Sequence, residues 1–343
     1  MPTDPWLPGA TAPPALPDVV MSDPPTWLLP EPYRVLFAGD THGNLNWWQH
    51  LLARAAEYDC DGVVQLGDFG YWRGHGEPGR YLRGLQRQLH RAGRWLLWID
   101  GNHECHPDLR ARYPWQETPR ASGVTPLTDR IFYAHRGARW TWRGRQWGAL
   151  GGAVSEDVNA RIPGAEWWPE ESITVAETER LLAGCPRLGH LGPTLDILLT
   201  HDVPAGIQTV SRFVLAPQLA CRVAAHRQLL AQVVAAVRPR LLVHGHLHLR
   251  HSTQLRLPDG STVAVEGLAS DDQRDPRAWA VLDLTTPPYT PTSELAERTA
   301  WFAPATSARR PRAGYSSAAP PRSATRDGRP PDRPDPTTGL AES

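Results

Sequence analysis

Short apolar runs alternate with amphipathic runs through the middle of the chain. The apolar runs predict buried strands over residues 35–38, 63–66, 95–99, 196–200 and 241–243. Apolar side chains at helical spacing predict helices over 46–58, 81–91 and about 217–237. Near the end, Pro258-Asp259-Gly260 predicts a hairpin between 253–257 and 261–268, and a last strand is predicted over 278–284. This order indicates an α/β domain with mixed sheets.

Both ends of the chain differ in composition from this middle part. Residues 1–30 are rich in proline and show no lasting periodicity, which predicts an extended or disordered leader. Residues 287–343 form a Pro/Arg/Ser/Thr-rich tail that cannot bury enough apolar surface to order itself, and a partner-docking segment is the alternative interpretation. We therefore expect one folded domain over residues 31–286.

Charge and cysteine usage exclude several classes of protein. The 36 basic residues are all arginine and are balanced by 36 acidic ones, so the net charge gives no support for a nucleic-acid or membrane-surface role. The N-terminus has no basic segment followed by an apolar core, and no uncharged apolar run reaches about 18 residues. The four cysteines are scattered without a C-x-x-C pair, which indicates reduced thiols. We expect a soluble, cytoplasmic protein.

Polar motifs follow five of the predicted strands directly, at the sheet edge where α/β proteins bind ligands. Side chains two residues apart on an extended segment point the same way and can reach one metal or two adjacent ones. Mixed Asp, His and Asn ligands suit Mn, Fe or Zn better than a dedicated Ca or Mg cage. Each motif alone is weak, but five in order predict a metal centre. They are G-D-T-H-G-N at 39–44, G-D-F-G at 67–70, G-N-H-E at 101–104, T-H-D at 200–202 and G-H-L-H at 245–248.

The ordered pattern D-x-H, G-D, G-N-H-[DE], H, G-H-x-H resembles that of the calcineurin-like metallophosphoesterase superfamily over roughly residues 33–285. The resemblance implies a four-layer α/β/β/α sandwich of two mixed sheets and a centre of two divalent metal ions. It implies that His103 is the catalytic histidine that binds no metal. It also implies two ligand sets that share Asp68, namely Asp40, His42, Asp68 and His248 for one metal and Asp68, Asn102, His201 and His246 for the other.

This resemblance implies hydrolysis of a phosphate mono- or diester. Two cations about 3.5–4 Å apart can hold both sides of an in-line phosphoryl displacement and generate a metal-bridging hydroxide. His103 would protonate the leaving alkoxide or stabilise the phosphate oxygens. The expected partner is a phosphoester, whether a small molecule, a nucleotide or a phosphoprotein. No membrane partner is expected, and the neutral charge disfavours nucleic acid.

Two positions depart from the protein Ser/Thr phosphatases of the superfamily. Those enzymes carry an aspartate that orients the catalytic histidine and an arginine that binds phosphate, where this chain has Tyr71 and Trp72. The departure argues against a dedicated protein phosphatase and leaves the orienting partner of His103 open. Protein phosphatase-like activity, a nuclease and a metal-free interaction scaffold are the alternatives. A scaffold should have lost ligands, whereas every expected position is kept here.

A sixth segment, Gly151 to Glu171, is similar to a stretch of some uncharacterised bacterial and phage-type metallophosphoesterases, G-G-A-x-S-x-D…R…W-[WF]-x-x-E. Our hypothesis is that Arg161 binds the substrate phosphate in place of the missing arginine, since its planar fork matches phosphate oxygens. The alternative is that Arg161 ties down its own loop. Several tryptophans flank the motif loops and are candidates to anchor these loops or to line the substrate pocket: Trp47, Trp48, Trp72, Trp167 and Trp168.

Overall fold

The apolar runs of the sequence form the strands of two mixed sheets. A computed structural model describes residues 29–72, 78–117, 122–183, 194–209, 214–272 and 277–285. The predicted leader, apart from its last two residues, and the whole predicted tail lie outside these described residues, so the predicted ends of the domain stay predictions.

The strands within the described residues number twelve, and the α-helices five. The strands are β1 (Arg34–Ala38), β2 (Gly62–Leu66), β3 (Trp95–Ile99), β4 (Val124–Pro126), β5 (Ile131–Ala134), β6 (Arg139–Trp142), β7 (Arg145–Leu150), β8 (Ile197–Thr200), β9 (Leu241–His244), β10 (His251–Arg256), β11 (Thr262–Gly267) and β12 (Trp279–Asp283). The helices are α1 (Leu45–Glu57), α2 (Pro78–Ala92), α3 (His106–Arg112), α4 (Val175–Ala183) and α5 (Pro217–Val237).

Each sheet has four parallel strands in its centre and an antiparallel strand at either edge. The first sheet runs β12-β1-β2-β3-β5-β4, and the second runs β10-β11-β9-β8-β7-β6. The parallel register pairs Leu66 with Ile99 in the first sheet and Leu199 with Val243 in the second. The carboxyl ends of neighbouring central strands therefore lie side by side, and the loops that leave them are brought together.

The two sheets pack face to face, and helices cover their outer faces. On β1, Val35 and Phe37 face an inner core that also contains Leu199 of the other sheet, while Leu36 and Ala38 pack under α1, α2 and α3. Helices α4 and α5 pack in the same way against the outside of the second sheet. Strands that are buried on both faces read as continuous apolar runs, which is why the sequence showed them. The predicted four-layer α/β/β/α sandwich is confirmed.

The stretch between β3 and β8 contains elements that the sequence did not predict, namely α3, β4 to β7 and α4.

None of the helices in the described parts of the chain is long and apolar enough to cross a membrane. Cys60, Cys105 and Cys221 are free thiols, in line with the prediction, and Cys185 lies outside the described residues.

Candidate metal centre

The loops that follow β1, β2, β3, β8 and β9 meet at one end of the sandwich. They bring together all the side chains predicted to bind metal, and each lies against at least one other of the set. These are Asp40, His42, Asp68, Asn102, His201, His246 and His248.

The first predicted ligand set forms a compact cluster. One ligand atom from each of Asp40, His42, Asp68 and His248 lies within 4.8 Å of the others. His248 Nε2 is 3.0 Å from Asp40 Oδ2, and His42 Nε2 is 3.8 Å from Asp68 Oδ2. Both carboxylates are buried. Two carboxylates and two imidazoles around one point are a donor set that fits a transition-metal ion or zinc.

The second predicted ligand set lies on the other side of Asp68. His201 Nε2 is 3.1 Å from Asn102 Oδ1 and 3.4 Å from Asp68 Oδ1, and the ring centroids of His201 and His246 are 5.0 Å apart. Asp68 therefore presents Oδ1 to this set and Oδ2 to His42. The carboxylate is placed to be shared between the two groups.

Four of the predicted ligands have a backbone conformation in the left-handed region. Among the described residues, seven that are not glycine have a positive φ, and four of them are predicted ligands: His42 at 44°, Asp68 at 51°, His246 at 63° and His248 at 52°. Such a conformation costs on the order of 1–3 kcal/mol for a residue with a side chain, and it persists only where the surrounding structure enforces it. The strain is concentrated where side chains must converge.

Two motif glycines allow the loops to approach the carboxylates closely. A Cβ atom at Gly101 would collide with Asp68 Oδ1, and one at Gly245 would collide with Asp40 Oδ1. In the same loops, Asp68 Oδ1 accepts the backbone N–H of Asn102 at 3.0 Å. The glycines are thus required by close contact with the metal-ligating carboxylates.

Glu104, the last residue of G-N-H-E, joins two of the motif loops. Its carboxyl group is buried and accepts the backbone N–H of Gly70 at 3.2 Å and that of Gly101 at 2.6 Å. Burial, together with the charge of Asp68, raises the pKa of Glu104 to about 8. Glu104 therefore has a structural role at the site, which the motif alone did not reveal.

The carboxylates dominate the electrostatics of the cluster. Burial opposes the charged form of His42, but the hydrogen bond with Asp271 and the charges of Asp40 and Asp68 raise its pKa to about 9. Burial is likewise outweighed at His201, where Asp68 and Asp40 raise the pKa to about 10. Without a bound ion, the two carboxylates therefore hold protons on both histidines. Divalent cations would replace these protons.

Groups behind the ligands set the orientation of the imidazole rings. Asp271 Oδ1 lies 2.8 Å from His42 Nδ1, and its Oδ2 accepts from Asn44 Nδ2 at 2.8 Å. His201 Nδ1 lies 2.6 Å from the carbonyl oxygen of Leu66, to which it donates. In both histidines, Nε2 is left to face the centre, as is usual for metal-ligating histidines. Sequence reasoning missed Asp271, because no motif surrounds it.

His103 borders the shared carboxylate, and Arg161 contacts it. His103 Nε2 is 3.6 Å from Asp68 Oδ2 and 3.0 Å from Arg161 Nη2. Arg161 Nε also donates to Asp157 Oδ2 at 2.8 Å, so the side chain ties its own loop and reaches the candidate catalytic histidine as well. Burial lowers the pKa of His103, and the Arg161 charge acts in the same direction while Asp68 opposes it. The contact with Asp157 fits an arginine that ties down its own loop, and phosphate binding by Arg161 stays a prediction.

The two positions that depart from the protein phosphatases have different surroundings. Tyr71 is buried and its hydroxyl donates to Asp108 Oδ2 at 2.7 Å, so this side chain belongs to the packing around α3. Trp72 instead stacks on His42, with ring centroids 6.2 Å apart. Of the other flanking tryptophans, Trp48 and Trp168 are core residues. The ring of Trp72 therefore lies against a predicted ligand, at the edge of the centre.

A family model and several solved structures are similar to this chain. A family model described as calcineurin-like phosphoesterase matches residues 33–250. Among solved structures, TT1561 of Thermus thermophilus is 14% identical, with 74% of this chain and 95% of that chain covered and a TM-score of 0.42. A dimetal phosphatase from Danio rerio is also 14% identical, with 74% and 92% covered and a TM-score of 0.44. A comparison with curated proteins finds no match.

Proposed function

Because the chain belongs to the calcineurin-like phosphoesterase family, we propose that it hydrolyses a phosphate mono- or diester at a centre of two divalent metal ions. The observation that carries the proposal is the placement of Asp68. Its Oδ2 faces His42 at 3.8 Å, and its Oδ1 faces His201 at 3.4 Å. A carboxylate between two groups of ligands is placed to bind both ions of a two-metal hydrolytic site.

The side chains present fit such ions. Imidazole nitrogens with carboxylate and amide oxygens suit Mn, Fe or Zn, and Asp40 and Asp68 supply negative charge in a buried position. Two cations, when bound, would supply Lewis-acid charge to the phosphate and acidify a water, the nucleophile that hydrolysis needs. The ligand positions are all kept, which favours an enzyme over a metal-free scaffold of the same fold.

His103 and Arg161 would act on the substrate. His103 lies beside the shared carboxylate and is in neither ligand set, so no metal ion would occupy its ring nitrogens, and the ring would hold a proton for the leaving alkoxide or bond a phosphate oxygen. The Arg161 guanidinium lies 3.0 Å from His103 Nε2 and would contact the same phosphate. Arginine binds phosphate oxygens through two parallel N–H groups, which would align the ester for attack.

Turnover of model esters tests the proposal. Protein reconstituted with Mn²⁺ is assayed with p-nitrophenyl phosphate and with its bis ester, beside Asp68→Asn and a control, Asp283→Asn. Asp283 pairs with Arg34 at 2.7 Å, at the other end of β1 from the centre. We expect turnover by wild type and the control and none by Asp68→Asn. Wild-type turnover no greater than that of Asp68→Asn would refute the proposal. The ratio of monoester to diester rates assigns the substrate class.

A further inference from the structure

Residues 151–171, the sixth segment, contact a proposed ligand of the second metal. Ser155 Oγ lies 3.0 Å from Asn102 Nδ2 and 2.5 Å from Glu171 Oε2. All three side chains are buried, with Ser155 and Glu171 completely so. The three groups therefore form a short chain of hydrogen bonds that is shielded from water.

The direction of these hydrogen bonds follows from the number of protons available. A serine hydroxyl has one proton, and a carboxylate can only accept. With Glu171 ionised, Ser155 therefore donates to Glu171, and its lone pairs accept from the NH2 group of Asn102. The amide of Asn102 has one orientation that satisfies this chain, in which Oδ1 points away from Ser155. It then lies 3.1 Å from His201 Nε2, on the side of the proposed metal.

Arg222 supplies a positive charge at the Glu171 end of this series of hydrogen bonds. Glu171 Oε1 is 3.1 Å from the guanidinium of Arg222, which belongs to α5. Burial raises the pKa of Glu171, and the positive charge of Arg222 opposes this shift and favours the ionised, accepting form. A residue of α5, which is distant in sequence from both Asn102 and Ser155, thus favours hydrogen bonding in the direction from Asn102 through Ser155 to Glu171.

The orientation matters because an amide binds a metal ion through its oxygen and not through its NH2 group. The terminal torsion of an asparagine is broad and roughly two-fold, so a side chain without partners can present either end. We propose that Ser155 and Glu171 are positioning residues, which hold the amide of Asn102 with its oxygen towards the second metal ion. This inference rests on the proposed function, since Asn102 is a ligand only if that ion binds.

Titration with Mn²⁺ tests the inference independently of turnover. Isothermal titration gives the affinity of each site, and electron paramagnetic resonance distinguishes a coupled pair of ions from an isolated one. In Ser155→Ala, we expect the second ion to bind about 10–100-fold more weakly, with the first site unchanged. The coupled signal should appear only at correspondingly higher Mn²⁺ concentration.

An exposed serine, Ser252, makes the same kind of contact elsewhere in the protein and serves as a control. Ser252 Oγ donates to the buried Glu266 at 2.6 Å, and Glu266 pairs with Arg250 at 3.0 Å. Ser252→Ala therefore removes the same kind of Ser–Glu–Arg contact without touching a proposed ligand. It should bind both ions with wild-type affinity.

A second variant separates orientation from a general loss of structure. In Asn102→Asp both terminal atoms are oxygens, so the orientation of the group no longer decides whether it can bind a metal. Adding Ser155→Ala to Asn102→Asp should then change the second affinity less than about twofold, whereas a structural defect would persist in this background.

The outcomes are distinct. Ser155→Ala with wild-type affinity for both ions, or with the same loss in the Asn102→Asp background, overturns the inference and leaves the proposed function intact. Wild-type protein that binds fewer than two ions overturns the proposed function and this inference with it.

Discussion

Replacing Asp271 by asparagine tests the hydrogen bonds that orient His42. One oxygen of Asp271 lies 2.8 Å from His42 Nδ1, and the other accepts from Asn44 Nδ2 at 2.8 Å. An asparagine offers one oxygen and one NH2 group, so one of these two donors would face another donor. Asn44 cannot turn to relieve this, because its Oδ1 caps α1 by accepting the N–H groups of Asn46 and Trp47.

The expected loss is in the affinity of the first metal site. Either His42 or Asn44 loses its partner, and both lie in the loop that carries the ligands Asp40 and His42. Removing a hydrogen-bonding partner behind a metal-ligating histidine typically weakens metal binding 10–100-fold, which corresponds to about 1.4–2.7 kcal/mol. The second site should change little, because its ligand His201 is held by the Leu66 carbonyl and not by Asp271.

Isothermal titration with Mn²⁺ at fixed pH measures this loss. Asp129→Asn is the control, because Asp129 forms a His–Asp pair with His90 at 3.0 Å on the surface. A double variant, Asn44→Asp with Asp271→Asn, exchanges the two groups and restores one donor for each acceptor. This double variant should recover at least half of the binding free energy that the first metal site loses in Asp271→Asn. Wild-type affinity in Asp271→Asn would refute the reasoning.

Four further predictions concern catalysis and stability. His103→Ala should lower kcat by about 10²–10⁴ while two ions stay bound, and a loss of metal would contradict a purely catalytic role. Arg161→Ala should lower kcat or raise KM with unchanged metal content; if neither constant changes, Arg161 does not contact the phosphate. Gly101→Ala should lose metal and destabilise the fold by about 1–3 kcal/mol, because its Cβ collides with Asp68, and normal metal content with a normal melting temperature would contradict that contact. Burial lowers the pKa of His135 to about 4, so the folded state favours the neutral imidazole. This contribution to stability is complete above pH 6.5 and is lost as the pH falls from 6.5 to 4, by at most about 1.4 kcal/mol per pH unit. Denaturant titrations of His135→Gln should therefore show a shallower pH dependence over that range, and equal slopes would show that His135 is not the cause.

The central strands and the ligands at their ends could be predicted, because each strand is an apolar run and its ligands follow within a few residues. β9, for example, is a short apolar run buried on both faces, and His246 and His248 follow it within four residues of its end. The same holds for β1 with Asp40 and His42. Since parallel strands end at one edge of a sheet, the order of the motifs along the chain was enough to place the loops together.

The edge strands could not be predicted in this way. β6 reads Arg-Trp-Thr-Trp, with Thr141 exposed, and β4 has three residues, of which one is proline. What makes these segments strands is pairing with β7 and β5, which is tertiary information. Short edge strands with one solvated face carry little periodic signal.

The residues that orient the metal ligands could not be predicted from local sequence patterns either. Asp271 is separated from His42 by 229 positions, and nothing around it resembles a motif. Ser155 and Glu171 lie in a segment that the sequence did single out, but the hydrogen bond between Ser155 and Asn102 depends on how that segment folds over the loop after β3. Such contacts depend on the packed structure alone.

Crystallography of the Mn²⁺-loaded protein, with anomalous diffraction to locate the metal, is the most direct test of the shared centre. We expect two anomalous peaks about 3.5–4 Å apart, with Asp68 Oδ2 on the ion bound by His42 and Asp68 Oδ1 on the ion bound by His201. A single peak, or two ions that do not share Asp68, would contradict it.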